Sequence, residues 1–316
     1  MGADLPTELR PAAESQCGIV TCSQIVNTGM TRGILTSRLR RGSWQRLHPG
    51  VYAAFSGEPG REALLWAAVL YAGTGAVLSH QTAAELWHLT DEASSLIHLT
   101  VPSSRRVKAV PGTVVHYSAR IAAHPVQTPP RTRVEETVID LWDTAPALDS
   151  AVGWVTRAIG RRLTTAERLQ QSATGRSRVR CRSTLTELLD MDGVHSVLEY
   201  RYVRDVERPH RLPAATRQLR TRLGERTQYR DEVYEPYQTV VELDGRVAHP
   251  GDSRWADIRR DNAAATTGLV TLRYGWQHVT TTPCRVAAEI AEVLALRGYA
   301  GAKPCSAGCR VGRRSA

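Results

Sequence analysis

The chain has 316 residues, is 42% hydrophobic, and carries 41 Lys+Arg against 31 Asp+Glu, a formal net charge of +10. That length suits two domains with sizeable cores, and no run approaches the roughly 18–20 apolar residues of a membrane span. The N-terminus has no basic region followed by an apolar block, which argues against a signal peptide; a soluble cytoplasmic protein is expected.

Only two of the basic residues are lysines, Lys108 and Lys303, so the positive charge is almost all arginine. Guanidinium groups make planar bidentate contacts with phosphates and guanine edges. A GC-rich genome explains arginine over lysine but not the excess over acids, which favours a polyanionic partner, DNA or RNA. The six cysteines are Cys17, Cys22, Cys181, Cys284, Cys305 and Cys309. They form no Cys-x-x-Cys pair and have no nearby histidine pair, so free thiols rather than a zinc site are expected.

In chain order, residues 1–14 read as a loose polar tail. Thr21 or Ser23 can cap a helix carrying Ile25 and Val26, and Asn27-Thr28-Gly29-Met30 is a turn. Thr31 can cap a second helix, 32–41, with Ile34, Leu35 and Leu39 inward and Gly42 closing it. His48-Pro49-Gly50 then turns between two short strands. Helix, turn, helix, hairpin is the order of a winged helix-turn-helix, and Arg32, Arg38, Arg40 and Arg41 would face phosphates or base edges; solvated arginines on a small helical subdomain fit the same pattern. Two helices are expected over 62–89, short strands near Val101-Pro102 and Val114-Val115, and helices over 135–142 and 152–162. The Arg-, Ser-, Thr- and Gly-rich stretch 170–182 reads as a linker or exposed basic loop, and the tail from Ala300 as disordered.

Farther on, Val194, Leu198, Tyr202 and Val206 recur every four residues, one buried helix face. Residues 228–234 and the β-branched run 239–243 read as strands around the Glu235-Pro236-Tyr237-Gln238 turn. A turn centred between Pro236 and Tyr237 sets Asp231 across from Glu242, with Cβ atoms roughly 4.5–5.5 Å apart. Asp244, two positions on, shares that side. Such crowded carboxylates need a neutralising partner, and oxygen ligands suit Mg²⁺, or Mn²⁺ in its place; charges on a solvated strand face are the plainer alternative. His249 could act as general base, general acid or ligand. A helix over 254–266 carries Asp257, Arg260 and Asp261, where Arg260 contacts phosphate or pairs with Asp257. A strand over 269–272 and a helix over 286–296 follow. Nine arginines between 201 and 230 form either a solvated basic face or a DNA-contacting one.

Two resemblances sharpen this reading. Gly18-Ile19-Val20-Thr21, Gly29-Met30-Thr31, Leu39-Arg40-Arg41-Gly42 and Arg46-Leu47-His48-Pro49-Gly50-Val51-Tyr52 resemble the N-terminal domain of the AbiEi abortive-infection antitoxins. The likeness continues more loosely through Leu78-Ser79-His80-Gln81-Thr82-Ala83-Ala84 and Ile97-His98-Leu99-Thr100-Val101, and fades near Asp140-Leu141. It implies a winged helix that binds its own promoter. Ser196-Val197-Leu198-Glu199, Tyr229-Arg230-Asp231, Val241-Glu242-Leu243-Asp244-Gly245 with His249, Asp257-x-x-Arg260, and 268–273 are similar to an uncharacterised group near the very-short-patch-repair endonucleases of the PD-(D/E)XK superfamily. That resemblance implies that Asp231 and Glu242 bind the metal, Glu199 supports them, His249 is the catalytic histidine and Arg260 serves the phosphate. Asp244 stands where the superfamily has lysine, which leaves the general base open.

The expected fold class is therefore α+β / α/β. The expected segments are a tail at 1–14, a winged helix-turn-helix at 15–56, an antitoxin-like middle region at 57–165, a basic linker at 166–190, a restriction-endonuclease-like αβββαβ domain at 191–298 and a basic tail at 299–316. The expected function is Mg²⁺-dependent hydrolysis of DNA phosphodiesters, with a non-catalytic antitoxin-like repressor as the alternative. RNA as substrate, a toxin partner and a homodimer stay open.

Overall fold

The computed structural model describes residues 5–108, 110–121, 127–190, 197–223, 226–244 and 268–312, with side chains at all of these except 218–223, 226–231 and 244. It is a mixed α+β protein in two compact units, residues 1–182 and 183–316. The expected helices at 254–266 and the start of the helix at Val194 lie outside the described residues.

The first unit begins with a helix, α1 (Arg10–Ser15), then β1 (Ile19–Thr21), α2 (Cys22–Asn27), α3 (Arg32–Arg40), β2 (Gln45–His48) and β3 (Val51–Ala53). Residues 1–14 are therefore not simply a loose tail: Leu9 and Ala13 are buried against Val20, Ile25, Leu35 and Trp44. The strands form an antiparallel sheet in the order β1-β3-β2. Two caps set the helix starts, because a side-chain oxygen satisfies an orphan N–H of the first turn. Thr21 Oγ1 accepts from the Gln24 N–H at 3.2 Å while the Thr21 N–H donates to Gln24 Oε1 at 2.8 Å, a reciprocal capping box. Thr31 Oγ1 accepts from the Ile34 N–H at 3.4 Å. Gly42, at φ +69°, reverses the chain after α3. Leu35 and Leu39 face inward as expected, but Val26 and Ile34 are exposed. Thr21→Ala is expected to cost about 1 kcal/mol, read as faster amide exchange across α2 and a small fall in the urea midpoint.

The next helix, α4 (Arg61–Ala72), is apolar nearly all round, which marks a helix buried on more than one side. One side, Ala63, Trp66 and Ala67, packs on Ile19, Val51 and Ala53 of the first sheet. The other, Leu65, Ala68, Val69 and Ala72, packs on a second sheet through Leu78, Ile97, Leu99 and Val101. That sheet is β4 (Val77–Leu78), β5 (Ile97–Pro102) and β6 (Thr113–Ser118), with β4 antiparallel and β6 parallel to β5. α5 (His80–Leu86) follows β4. The first and second sheets thus have separate core clusters joined by α4, and residues 15–56 and 57–165 fall within one compact unit.

α6 (Val134–Thr144), α7 (Leu148–Gly160) and α8 (Ala166–Thr174) complete the unit. The stretch read as a linker is bound in. Arg176 reaches the carboxylates of Glu136 at 2.6 Å, Asp140 at 2.8 Å and Asp143 at 3.8 Å. Ser172 Oγ donates to Glu136 at 2.9 Å, and Thr164 Oγ1 to Glu135 at 2.6 Å. Arg176 serves as counter-ion to these acids on α6, and the Arg180 and Arg182 guanidiniums donate to main-chain carbonyls, so the composition of 170–182 mimics a linker without being one.

The second unit opens with α9 (Arg182–Leu189), which straddles the division between the units, and α10 (Val197–Tyr202), extended by a π-turn at Val203–Glu207. Leu198, Tyr202 and Val206 are buried on one face, as their spacing predicts. β7 (Thr216–Leu223), β8 (Arg226–Tyr234) and β9 (Thr239–Asp244) form an antiparallel meander, and β10 (Val270–Gly275) runs parallel to β9, giving the order β10-β9-β8-β7. α11 (Trp276–Thr281) and α12 (Pro283–Leu296) close the unit, and Val286, Ile290 and Leu294 of α12 join the core. The tail is not disordered throughout: Cys309 and Val311 are buried in that same core.

Candidate functional site

The β8–β9 hairpin carries the acids. Its turn is a short 3-10 segment at Glu235–Tyr237 with Pro236 in its first turn and Gln238 in the left-handed region at φ 44°. The β-branched run Thr239-Val240-Val241 then enters the middle of the sheet, where all three side chains are fully buried. The register pairs Tyr234 with Thr239, Val233 with Val240 and Glu232 with Val241. It is the register of a turn centred between Pro236 and Tyr237, and one further step along both strands sets position 231 opposite position 242.

On the other side of β9, Glu242 pairs in register with Arg273 of β10. Their side chains form an ion pair, Arg273 Nη2 to Glu242 Oε2, at 3.1 Å. Asp244 closes β9 opposite Gly275. Glu199 sits on α10 and is buried. His249 and Arg260 lie outside the described residues, and Asp231 and Asp244 are placed by backbone alone.

A second set of acids lies beside this one and escaped the sequence reading. Glu232 is fully buried, and so is most of Glu207. Arg217 Nη2 contacts Glu207 at 2.8 Å and its Nε lies 3.5 Å from Glu232. The Ala215 N–H donates to Glu207 at 3.2 Å. Above them the Tyr202 and Tyr234 hydroxyls share a hydrogen bond of 2.6 Å. Burial pushes Glu207 above the usual carboxylate range against the pull of Arg217, and it raises both phenols well above theirs. In the sequence Glu232 stands directly after Arg230 and Asp231 in a largely polar strand, and nothing there marks it as buried.

The arginine run of 201–230 is also reassigned in part. Arg201 and Arg204 both pair with Asp205, at 3.1 and 2.7 Å, Arg208 pairs with Glu187, and Arg217 is in the buried network. These four serve ion pairs within the unit. In the first unit Arg32, Arg40 and Arg41 are exposed on or beside α3, while Arg38 is half-buried with its guanidinium over Trp44 at 4.9 Å.

Two groups of metal-ligand-type side chains occur among the described residues, His80/His98/His116 and His210/Cys284/Cys305/Cys309, each with its ligand atoms within 4.8 Å of one another. The first is a stack, His80 on His116 at 3.7 Å between ring centroids. Three of its six ring nitrogens have partners among the described residues: His98 Nδ1 lies 3.1 Å from His116 Nε2, and His80 Nδ1 lies 3.0 Å from Ser79 Oγ. Burial above all, with the adjoining imidazoles and, for His80, Arg176, brings His80 down to about 3 and His116 to about 4, so these two rings are neutral at physiological pH. All six cysteines are free, as expected, but the second group brings three of them together with His210, a convergence that their spacing in the sequence does not show.

No family model matches the chain, and no curated protein matches it. Among the described residues no helix is long and apolar enough to cross a membrane.

Proposed function

We propose that the protein is a DNA-binding, metal-dependent endonuclease whose site is built on the β8–β9 hairpin. The observation that carries this reading is the β8–β9 register, which runs as far as Glu232 opposite Val241 and, continued by one residue on each strand, supports a pairing of positions 231 and 242. The donor set is carboxylate oxygen, which fits Mg²⁺ or Mn²⁺. Asp231 and Glu242 would hold the ion. When bound, the ion supplies Lewis acidity toward a phosphoryl oxygen and toward the attacking water.

The chain's own residues have distinct tasks in this reading. Arg273 holds the Glu242 carboxylate in place. Glu199, buried on α10, supplies further negative charge, His249 moves the proton, and Arg260 meets the phosphate. The first unit supplies DNA affinity. Its order of helix, strand, helix, helix, strand, strand supports a winged helix-turn-helix in which α3 carries Arg32, Arg40 and Arg41 toward the backbone, while Arg38 stiffens the helix through Trp44.

The Arg273–Glu242 ion pair also favours a second reading, in which the hairpin is a retired scaffold and the protein is an antitoxin-like repressor. One experiment separates them: cleavage of supercoiled plasmid and mismatched duplexes with Mg²⁺ or Mn²⁺, the wild type beside Asp231→Ala and Glu242→Ala. Loss of a second-layer partner already costs 10–100-fold, so loss of either acid is expected to lower nicking by at least about 100-fold. No cleavage with either metal, or cleavage indifferent to both substitutions, rules out the enzyme and leaves the regulator.

A further inference from the structure

Four side chains from three separate stretches meet at one end of the second unit. His210 follows the π-turn, Cys284 lies in the first turn of α12, and Cys305 and Cys309 lie in the tail. All four ligand atoms lie within 4.8 Å of one another, and the sulfurs of Cys284 and Cys305 are 3.5 Å apart. That separation is far beyond the roughly 2.05 Å of a disulfide, and it is close to the edge of a tetrahedron drawn around an ion with Zn–S bonds of about 2.3 Å.

His210 is set up as a ligand. It is buried, and its Nδ1–H donates to the Val206 carbonyl at 2.8 Å, which fixes the tautomer and leaves the lone pair on Nε2. Nε2 is itself buried and has no hydrogen-bond partner among the described residues. A buried polar nitrogen without a partner costs stability unless something fills its direction, and what lies there is three sulfurs.

The tail needs such an anchor. From Gly298 to Gly312 the sequence is mostly Gly, Ala, Ser, Arg and Lys, a composition that buries too little apolar surface to offset its ordering entropy. Yet Cys309 and Val311 are buried, and the Lys303 N–H donates to the His210 carbonyl at 2.8 Å.

We propose that His210, Cys284, Cys305 and Cys309 bind one zinc ion as a closed, structural Cys₃His site that fastens the C-terminal segment onto the second unit. Nitrogen and soft thiolate ligands in a tetrahedron select zinc, and four protein ligands leave no open position for catalysis. The site shares no residue with the acids of β8 and β9 and does not depend on the nuclease reading.

The test uses the full chain purified without added chelator. Metal analysis is expected to find about one zinc per chain. Cys305→Ser and Cys309→Ser should each weaken zinc retention by about 100-fold or more against a competing chelator, while Cys22→Ser keeps it. Cobalt in place of zinc should show the intense visible bands and thiolate charge transfer of a tetrahedral sulfur site, a readout independent of how the variants fold. Stripping the metal should speed trypsin cleavage at Arg297 or Arg310 by about tenfold. Zinc absent from the wild type, zinc retained by the Cys305→Ser/Cys309→Ser double variant, a weak octahedral cobalt spectrum, or a Cys284–Cys305 disulfide in freshly purified protein would each overturn the assignment.

Discussion

Arg176→Met is expected to destabilise the first unit by roughly 3–5 kcal/mol, because removing one partner of a buried ion pair leaves uncompensated charge behind. Arg176 is the cation shared by Glu136, Asp140 and Asp143, and it also donates to the Glu136 main-chain carbonyl at 3.0 Å. Methionine fills much of the volume and supplies none of the charge. Five of the seven tryptophans precede residue 183, and Trp142 sits on the same helix as the three acids. Urea unfolding followed by tryptophan fluorescence therefore reports the change. The loss has a defined pH dependence. Burial raises Asp140 to about 6 even with Arg176 beside it, and Glu136 and Asp143 push the same way. Without the guanidinium, Asp140 rises further above its unfolded value near 3.9. A group raised on folding gains stability as pH falls through its folded pKa, so the deficit should be smaller at pH 5 than at pH 8. A deficit that is small, or that grows on acidification, would show that Arg176 contributes little to holding α6.

The second large effect is expected at Arg217. Arg217→Met should cost the second unit roughly 3 kcal/mol or more, since Glu207 and the fully buried Glu232 would face each other across the lost guanidinium. Both acids lie beneath the Tyr202–Tyr234 pair, so their repulsion cannot be relieved by rotation into water. Adding Glu207→Gln removes one of the two charges while keeping an acceptor for the Ala215 N–H, and Arg217→Met/Glu207→Gln should recover a large part of the loss. A double-mutant cycle by calorimetry measures the coupling; strict additivity would mean that the three groups do not act as one network.

What was legible in the sequence was local. The hairpin register followed from a Pro-containing turn between a β-branched run and an alternating strand, and the helix starts at Thr21 and Thr31 followed from cap chemistry. Both depend on neighbours a few residues apart. The Cys₃His cluster was not legible, because its ligands come from three stretches and the only paired spacing, Cys305-x-x-x-Cys309, is not that of a common finger. The linker and the tail were misread for one reason. Their composition is that of solvated chain, and the partners that order them, the acids of α6 and the core behind His210, lie far off in sequence. Arginine likewise pointed to phosphate when four of the run at 201–230 answer carboxylates of their own unit.

The double-sided packing of α4 bears on how such a chain can be cut and recombined. A cut after residue 56 would bare Ile19, Val51 and Ala53 on one piece and Ala63, Trp66 and Ala67 on the other, leaving two sticky halves. A graft of the arginine-bearing head onto another protein must therefore take α4 with it, and α4 brings the second sheet. The smallest portable module is the whole of residues 1–182, and the place where evolution or an engineer can exchange partners is near residue 183.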